Sequence, residues 1–210
     1  MSTSVMSEPT VFIIDDDPAV ARSLRWLIEA VKLKVELFTS AQTFLDTYEE
    51  TTPGCMLLDV RIPGLSGLEL QEQLAKRYAY HVPIIFVTGH GDVKMAVRAI
   101  QVGAFDFVEK PFRDQELLDK IQRAIIFDAE QRGKVAKQVE ITELISTLSP
   151  REREVFDLVA EGMSNKAIAY TLELSSKTVE AHRAKVMEKL HAKSLADLVK
   201  LSMQLRVNTP

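Results

Sequence analysis

The stretch Cys55-Met56-Leu57-Leu58-Asp59 is an apolar run that ends in a carboxylate, and Val60-Arg61-Ile62-Pro63-Gly64 follows it. Short apolar runs bounded by turn formers read as strands buried on both faces. Val11-Phe12-Ile13-Ile14 has the same character and ends in three consecutive acids, Asp15, Asp16 and Asp17. If these strands are parallel neighbours, their acids cluster at the carboxyl edge, where α/β sheets bind ligands. Carboxylates gathered so closely require a cation, and hard oxygen ligands in a small site favour Mg²⁺.

Two more runs bring further chemistry to that edge. Pro83-Ile84-Ile85-Phe86-Val87 stops at Thr88 in Thr-Gly-His-Gly-Asp, and Ala104-Phe105-Asp106-Phe107-Val108-Glu109 stops at Lys110 in Lys-Pro-Phe. A carboxylate to carry the group, a lysine and a divalent ion to neutralise its oxygens, and a hydroxyl to hydrogen-bond one of them form a phosphoryl-handling set. Singly, an Asp after a strand reads as a turn or cap residue and Lys-Pro as a loop. The ordered combination on successive strands reads otherwise. His90, between two glycines, is read as an exposed loop residue without a role.

Over residues 9–125 this set resembles the receiver domain of two-component response regulators. The resemblance implies a doubly wound, five-stranded parallel sheet of the flavodoxin-like kind. It implies that Asp59 is the phosphoacceptor, that Asp16 and Asp59 ligate Mg²⁺ directly, and that Asp15 does so through water. Arg61 matches the position that offers a backbone carbonyl to the ion. Thr88 and Lys110 match the pair that contact the phosphoryl group. Phe107 stands where the family has an aromatic that turns inward on activation; being Phe rather than Tyr, it can bury its ring but has no hydroxyl to offer. Asp17 is read as a solvent-facing acid at the start of the next helix, where negative charge is favourable.

Composition adds limits. The chain has 210 residues, enough for one or two domains with a real core. Cys55 is its single cysteine, so no intramolecular disulfide can form, and its place in an apolar run marks it as a small buried hydrophobe. No apolar run approaches the roughly 18 residues that span a bilayer, and the first residues lack a basic segment followed by an apolar one. A cytoplasmic protein without a membrane partner is expected.

Charge divides unevenly. The net charge is −4, yet residues 146–210 hold 10 Lys+Arg against 8 Asp+Glu. So small an excess is an ordinary solvated surface unless its placement says more. Before this segment, Asp114 to about Phe127 reads as an amphipathic helix with Leu117, Leu118, Ile121, Ala124 and Ile125 on one stripe. Residues 126–145 are polar but rich in helix formers, which predicts a helical linker; Gly133 opposes it by about 1 kcal/mol.

From Leu148 onward the punctuation is that of short helices. Ser149-Pro150-Arg151-Glu152 is a capping box with proline at the first helical position, and Gly162 ends that helix. Ser164 caps a second helix, Ser175 or Ser176 a third that reaches about Leu190, and Ser194 with Asp197 boxes a fourth. Four helices with a tight turn between the middle two describe a helix-turn-helix module. On the third helix, Val179, Val186 and Leu190 with Met187 form the core face. Lys177, Glu180, Ala181, Ala184, Lys185 and Glu188 lie opposite. Two alanines on that face allow close approach to a surface, Lys177, Lys185 and the flanking His182, Arg183 and Lys189 can meet phosphates, and Thr178 is counted among the DNA-binding residues. Glu180 suits DNA only if it accepts from cytosine N4.

The runs Leu148-Ser-Pro-Arg-Glu-Arg-Glu-Val, Gly162-Met-Ser-Asn-Lys-Ala-Ile-Ala and Ser176-Lys-Thr-Val-Glu-Ala-His-Arg resemble the LuxR-type DNA-binding domain over residues 146–207. With the receiver, they make the chain resemble a FixJ/NarL-class response regulator, a phosphorylation-controlled transcription factor rather than an enzyme. The resemblance implies a histidine kinase and double-stranded promoter DNA as partners, homodimers on phosphorylation, and RNA polymerase as a further candidate partner. Two other readings compete. A phosphohydrolase of the haloacid dehalogenase type would use the Asp-x-Asp of Asp15 and Asp17, but Ala19 departs from that pattern and Asp59 would have no task. In the other, the tail is a protein-interaction module.

Overall fold

Thr10–Ile14 (β1), Lys34–Phe38 (β2), Gly54–Leu58 (β3), Ile84–Thr88 (β4) and Asp106–Glu109 (β5) form five strands in the order β2-β1-β3-β4-β5, every neighbouring pair parallel. The computed structural model describes residues 8–89 and 93–206. β1, β3 and β4 are buried at every position, as strands covered on both faces must be. Odd and even positions then face different helices. Phe12, Ile14, Met56, Leu58, Ile84 and Phe86 pack with Ala41 and Phe44 of α2 (Ala41–Thr47), Leu70 and Leu74 of α3 (Gly67–Arg77) and Ala99 of α4 (Val93–Gln101). Val11, Ile13, Cys55, Leu57, Ile85 and Val87 pack with Leu24 and Ile28 of α1 (Pro18–Ala30) and Leu117, Ile121 and Ala124 of α5 (Asp114–Ser146). This is the doubly wound arrangement expected.

The predicted linker is helical without interruption. α5 runs 33 residues, through Gly133, and the chain divides into two compact units between Gln131 and Arg132. The last buried residue of α5 in the first unit is Asp128, whose carboxylate accepts from the Gly54 amide at 2.9 Å and the Tyr80 hydroxyl at 2.8 Å. No residue from 129 to 140 is buried, and Ile141 and Ile145 enter the core of the second unit.

In the second unit the caps act as read. Ser149 and Glu152 form the reciprocal box that starts α6 (Pro150–Ala160), Ser164 caps α7 (Asn165–Thr171), Ser175 caps α8 (Ser176–Lys189), and Ser194 with Asp197 starts α9 (Leu195–Arg206). Each satisfies amides that a helix start leaves unpaired. Val155, Phe156, Val159, Ile168, Val179, Val186, Leu190 and Leu198 form the core between them.

Gly54 opens β3 with φ +145°, and a Cβ there would lie 1.8 Å from the carbonyl oxygen of Thr10. Backbone cannot yield as a side-chain tip can. Gly54→Ala is therefore expected to destabilise the first unit by about 3 kcal/mol or more, measured by denaturant unfolding.

Candidate metal centre and nucleic-acid interface

The register of the sheet builds the acidic site. Ile14 pairs with Leu58 across β1 and β3, so Asp15 and Asp59 leave the sheet side by side, and the Asp59 amide donates to the Ile14 carbonyl at 2.9 Å. Ligand oxygens of Asp15, Asp16 and Asp59 lie within 4.8 Å of one another. Asp15 is buried and Asp16 exposed. Asp17 turns away: its Oδ1 accepts from the amides of Ala19 and Val20 and caps α1, the role expected of it.

Lys110 reaches this cluster from β5. Its amide donates to the Thr88 carbonyl, and its Nζ lies 2.9 Å from Asp15 Oδ2 and 3.6 Å from Asp59 Oδ2. The Lys110–Pro111 peptide is cis, which the sequence did not announce. Arg61 holds the loop by donating its amide to Asp59 Oδ1 at 3.1 Å. Thr88 is buried at the end of β4 in register with Glu109, and Phe107 is half-buried against the α2–α3–α4 core. His90 lies outside the described residues.

The donor set fits a divalent ion. Among the described residues three carboxylates face one ammonium, leaving negative charge uncompensated, and all donors are hard oxygens. α3 starts tightly beneath this loop: a Cβ on Gly67 would lie 2.3 Å from the Asp59 carbonyl oxygen.

In the second unit, the core and solvent faces of α8 fall as the wheel predicts. Val179, Val186 and Leu190 are buried; Lys177, Glu180, Ala181, Ala184, Lys185 and Glu188 are exposed. Thr178 is half-exposed, its hydroxyl 2.8 Å from that of Ser175, and His182 is half-buried with Nδ1 enclosed. Lys189, read as able to meet phosphate, has partners within the chain. Its ammonium donates to the buried Glu152 carboxylate at 2.6 Å and to the Thr147 carbonyl at 3.0 Å. Arg183 is half-buried as well, donating to Asn165 Oδ1 on α7 at 2.6 Å. Sequence reading placed Glu152 in the capping box but missed its second partner, 37 residues away.

These bonds hold the Glu152 carboxyl down at about 2, first through the Lys189 ammonium and next through the Ser149 amide. A carboxyl held lower in the folded chain than in the unfolded one stabilises the fold above its ordinary pKa, and that contribution disappears as pH falls through the folded value. Glu152→Gln is thus expected to lower stability at neutral pH. It should also remove the part of acid destabilisation that falls between about pH 4.5 and 2. Circular-dichroism unfolding across that range checks both.

Residues 11–122 match the response regulator receiver domain, and residues 146–202 match the bacterial regulatory proteins of the luxR family. The chain is 45% identical over 206 residues to nodulation protein W of Bradyrhizobium diazoefficiens, covering 98% of this chain and 90% of that one. It is 45% identical over 193 residues to the transcriptional regulatory protein FixJ of Azorhizobium caulinodans, covering 92% and 91%. The solved structure of the response regulator StyR superposes with a TM-score of 0.83 at 43% identity, covering 94% of this chain and 100% of that one. Among the described residues no helix is long and apolar enough to cross a membrane. A receiver joined to a LuxR-type module implies a histidine kinase on one side and DNA on the other, and the chain belongs to the response regulators that control transcription in this way.

Proposed function

We propose that residues 9–125 receive a phosphoryl group on Asp59, that residues 126–145 act as the helical linker, and that residues 146–207 bind promoter DNA in response. The observation that carries this reading is the convergence of Asp15, Asp16 and Asp59 within 4.8 Å, with the Lys110 ammonium against two of them. A carboxylate oxygen of Asp59 attacks the phosphorus of a kinase phosphohistidine, the P–N bond breaks, and the imidazole leaves. Asp15, Asp16, Asp59 and the Arg61 carbonyl would hold Mg²⁺, which when bound neutralises charge on the phosphoryl oxygens. Lys110 offers its ammonium to one oxygen and Thr88 its hydroxyl to another. Asp59 serves as a carrier in a switch, so the chain acts as a regulator and not as an enzyme that turns over substrate.

The response then passes to the face built by α4 and β5 as the Thr88 loop and Phe107 repack. Val97, Ile100 and Val102 are exposed apolar residues there, which suits pairing of two receivers. DNA meets the outward face of α8: Lys177 and Lys185 at phosphates, Ala181, Ala184 and Glu180 at base edges, Thr178 and His182 at the margins. RNA polymerase is the partner through which a bound dimer would act, and the cytoplasm is the compartment that holds both.

Acetyl phosphate with Mg²⁺ is expected to modify Asp59, and Asp59→Asn to abolish the modification; mass spectrometry placing the phosphoryl group on Asp15 or Asp16 would overturn the assignment. Asp16→Ala is expected to weaken Mg²⁺ more than Asp15→Ala, read by fluorescence or calorimetric titration. For Glu180, a binding series over single-base variants decides. Relaxed preference at one position by about 1 to 3 kcal/mol supports a cytosine contact. Uniform tightening means that Glu180 only repels phosphate.

A further inference from the structure

Resting on the reading of α8 as the DNA-facing helix, we infer that Arg183 is a positioning residue that sets the roll of α8, with Asn165 as its stop, rather than a phosphate contact. The inward stripe of α8, Val179, Val186 and Leu190, is apolar, and apolar contact is non-directional. Such a stripe fixes the depth of a helix better than its rotation.

Two polar side chains stand on opposite shoulders of the stripe. At about 100° per residue, Arg183 falls about 40° to one side and Lys189 about 80° to the other. Each donates to a different helix: Arg183 Nη1 to Asn165 Oδ1, the first residue of α7, at 2.6 Å, and Lys189 Nζ to Glu152 on α6 at 2.6 Å. Hydrogen bonds are directional, and those to charged groups are the strong ones. A roll of α8 in either sense must stretch one of the two. Side chains that read base edges need to be held within roughly 0.5 Å and 10 to 20°, so the pair of pins bears directly on which residues of the outward face, Glu180, Ala181 and Ala184, meet a base.

Arg183 was also a candidate for the phosphate backbone. Half-buried and committed to Asn165, its guanidinium is better placed to orient than to read. The two roles leave different signatures. Deleting a side chain that touches phosphate weakens binding to all sequences alike and lowers the salt slope by about one, whereas a misoriented helix discriminates less between sequences and keeps its slope.

The experiment uses the full chain with acetyl phosphate present, duplexes selected from a random pool by the wild-type protein, and random duplex as reference, over a salt series. Arg183→Ala and Asn165→Ala are each expected to reduce the specific-to-random ratio by about tenfold, and the double variant by no more than either alone, the non-additivity of a single shared bond. The salt slope stays at the wild-type value. Asn165→Asp, which keeps the acceptor, retains most of the ratio. Lys185→Ala, in the same assay, lowers the slope and keeps the ratio. The inference is overturned if Arg183→Ala lowers the slope with the ratio intact, or if the two alanine effects multiply. Absence of any effect from Lys185→Ala and Lys177→Ala would instead remove α8 from the interface, a failure of the underlying reading that the assay separates from this one. Thermal unfolding identifies a variant that no longer folds; should Arg183→Ala behave so, Asn165→Ala, which leaves the arginine in place, still decides.

Discussion

Two parallel strands that end level with each other put like charges side by side, and the receiver is arranged around that repulsion. Ile14 opposite Leu58 makes Asp15 and Asp59 neighbours, with Asp16 at the rim. Carboxylates in such proximity raise the energy of the apo site unless something positive approaches. Lys110 does so from the end of β5, three places from β1 along the sheet, through a 2.9 Å contact with Asp15. Any cation added to a site held in this balance would change the charge that the surrounding loops must accommodate.

The second unit solves a different problem. Its helices are short and its core small. Buried charge is costly unless paired and hydrogen-bonded. Glu152 meets that condition by accepting from Ser149 and from Lys189, so one carboxylate both caps α6 and anchors the end of α8. Hydrogen bonds are directional where apolar packing is not, so such a contact constrains orientation as well as depth.

Between the two lies a single helix whose two ends belong to different cores. Asp128 fastens α5 to the start of β3 and to Tyr80, and the next buried residue is Ile141. None of the intervening residues is buried, and Gly133 is tolerated there because helix formers surround it.

Much of this was legible in the chain itself. Apolar runs ending in Asp15, Asp59, Thr88 and Lys110 marked the strands and the site, and the caps at Ser149, Ser164, Ser175 and Ser194 marked the helix starts, because strand patterning and capping act over a few residues. Only the tertiary structure decided the long-range partners. Nothing local announces that Lys110 will meet Asp15 across 95 residues, that Asp128 will accept from Gly54 across 74, or that Arg183 and Lys189 will turn inward to Asn165 and Glu152. Sequence reading set those two side chains at the flank of the outward face, where a cation can reach outward to phosphate or inward to a neighbouring helix. The choice depends on where an acceptor stands in space, which no periodicity along the chain records.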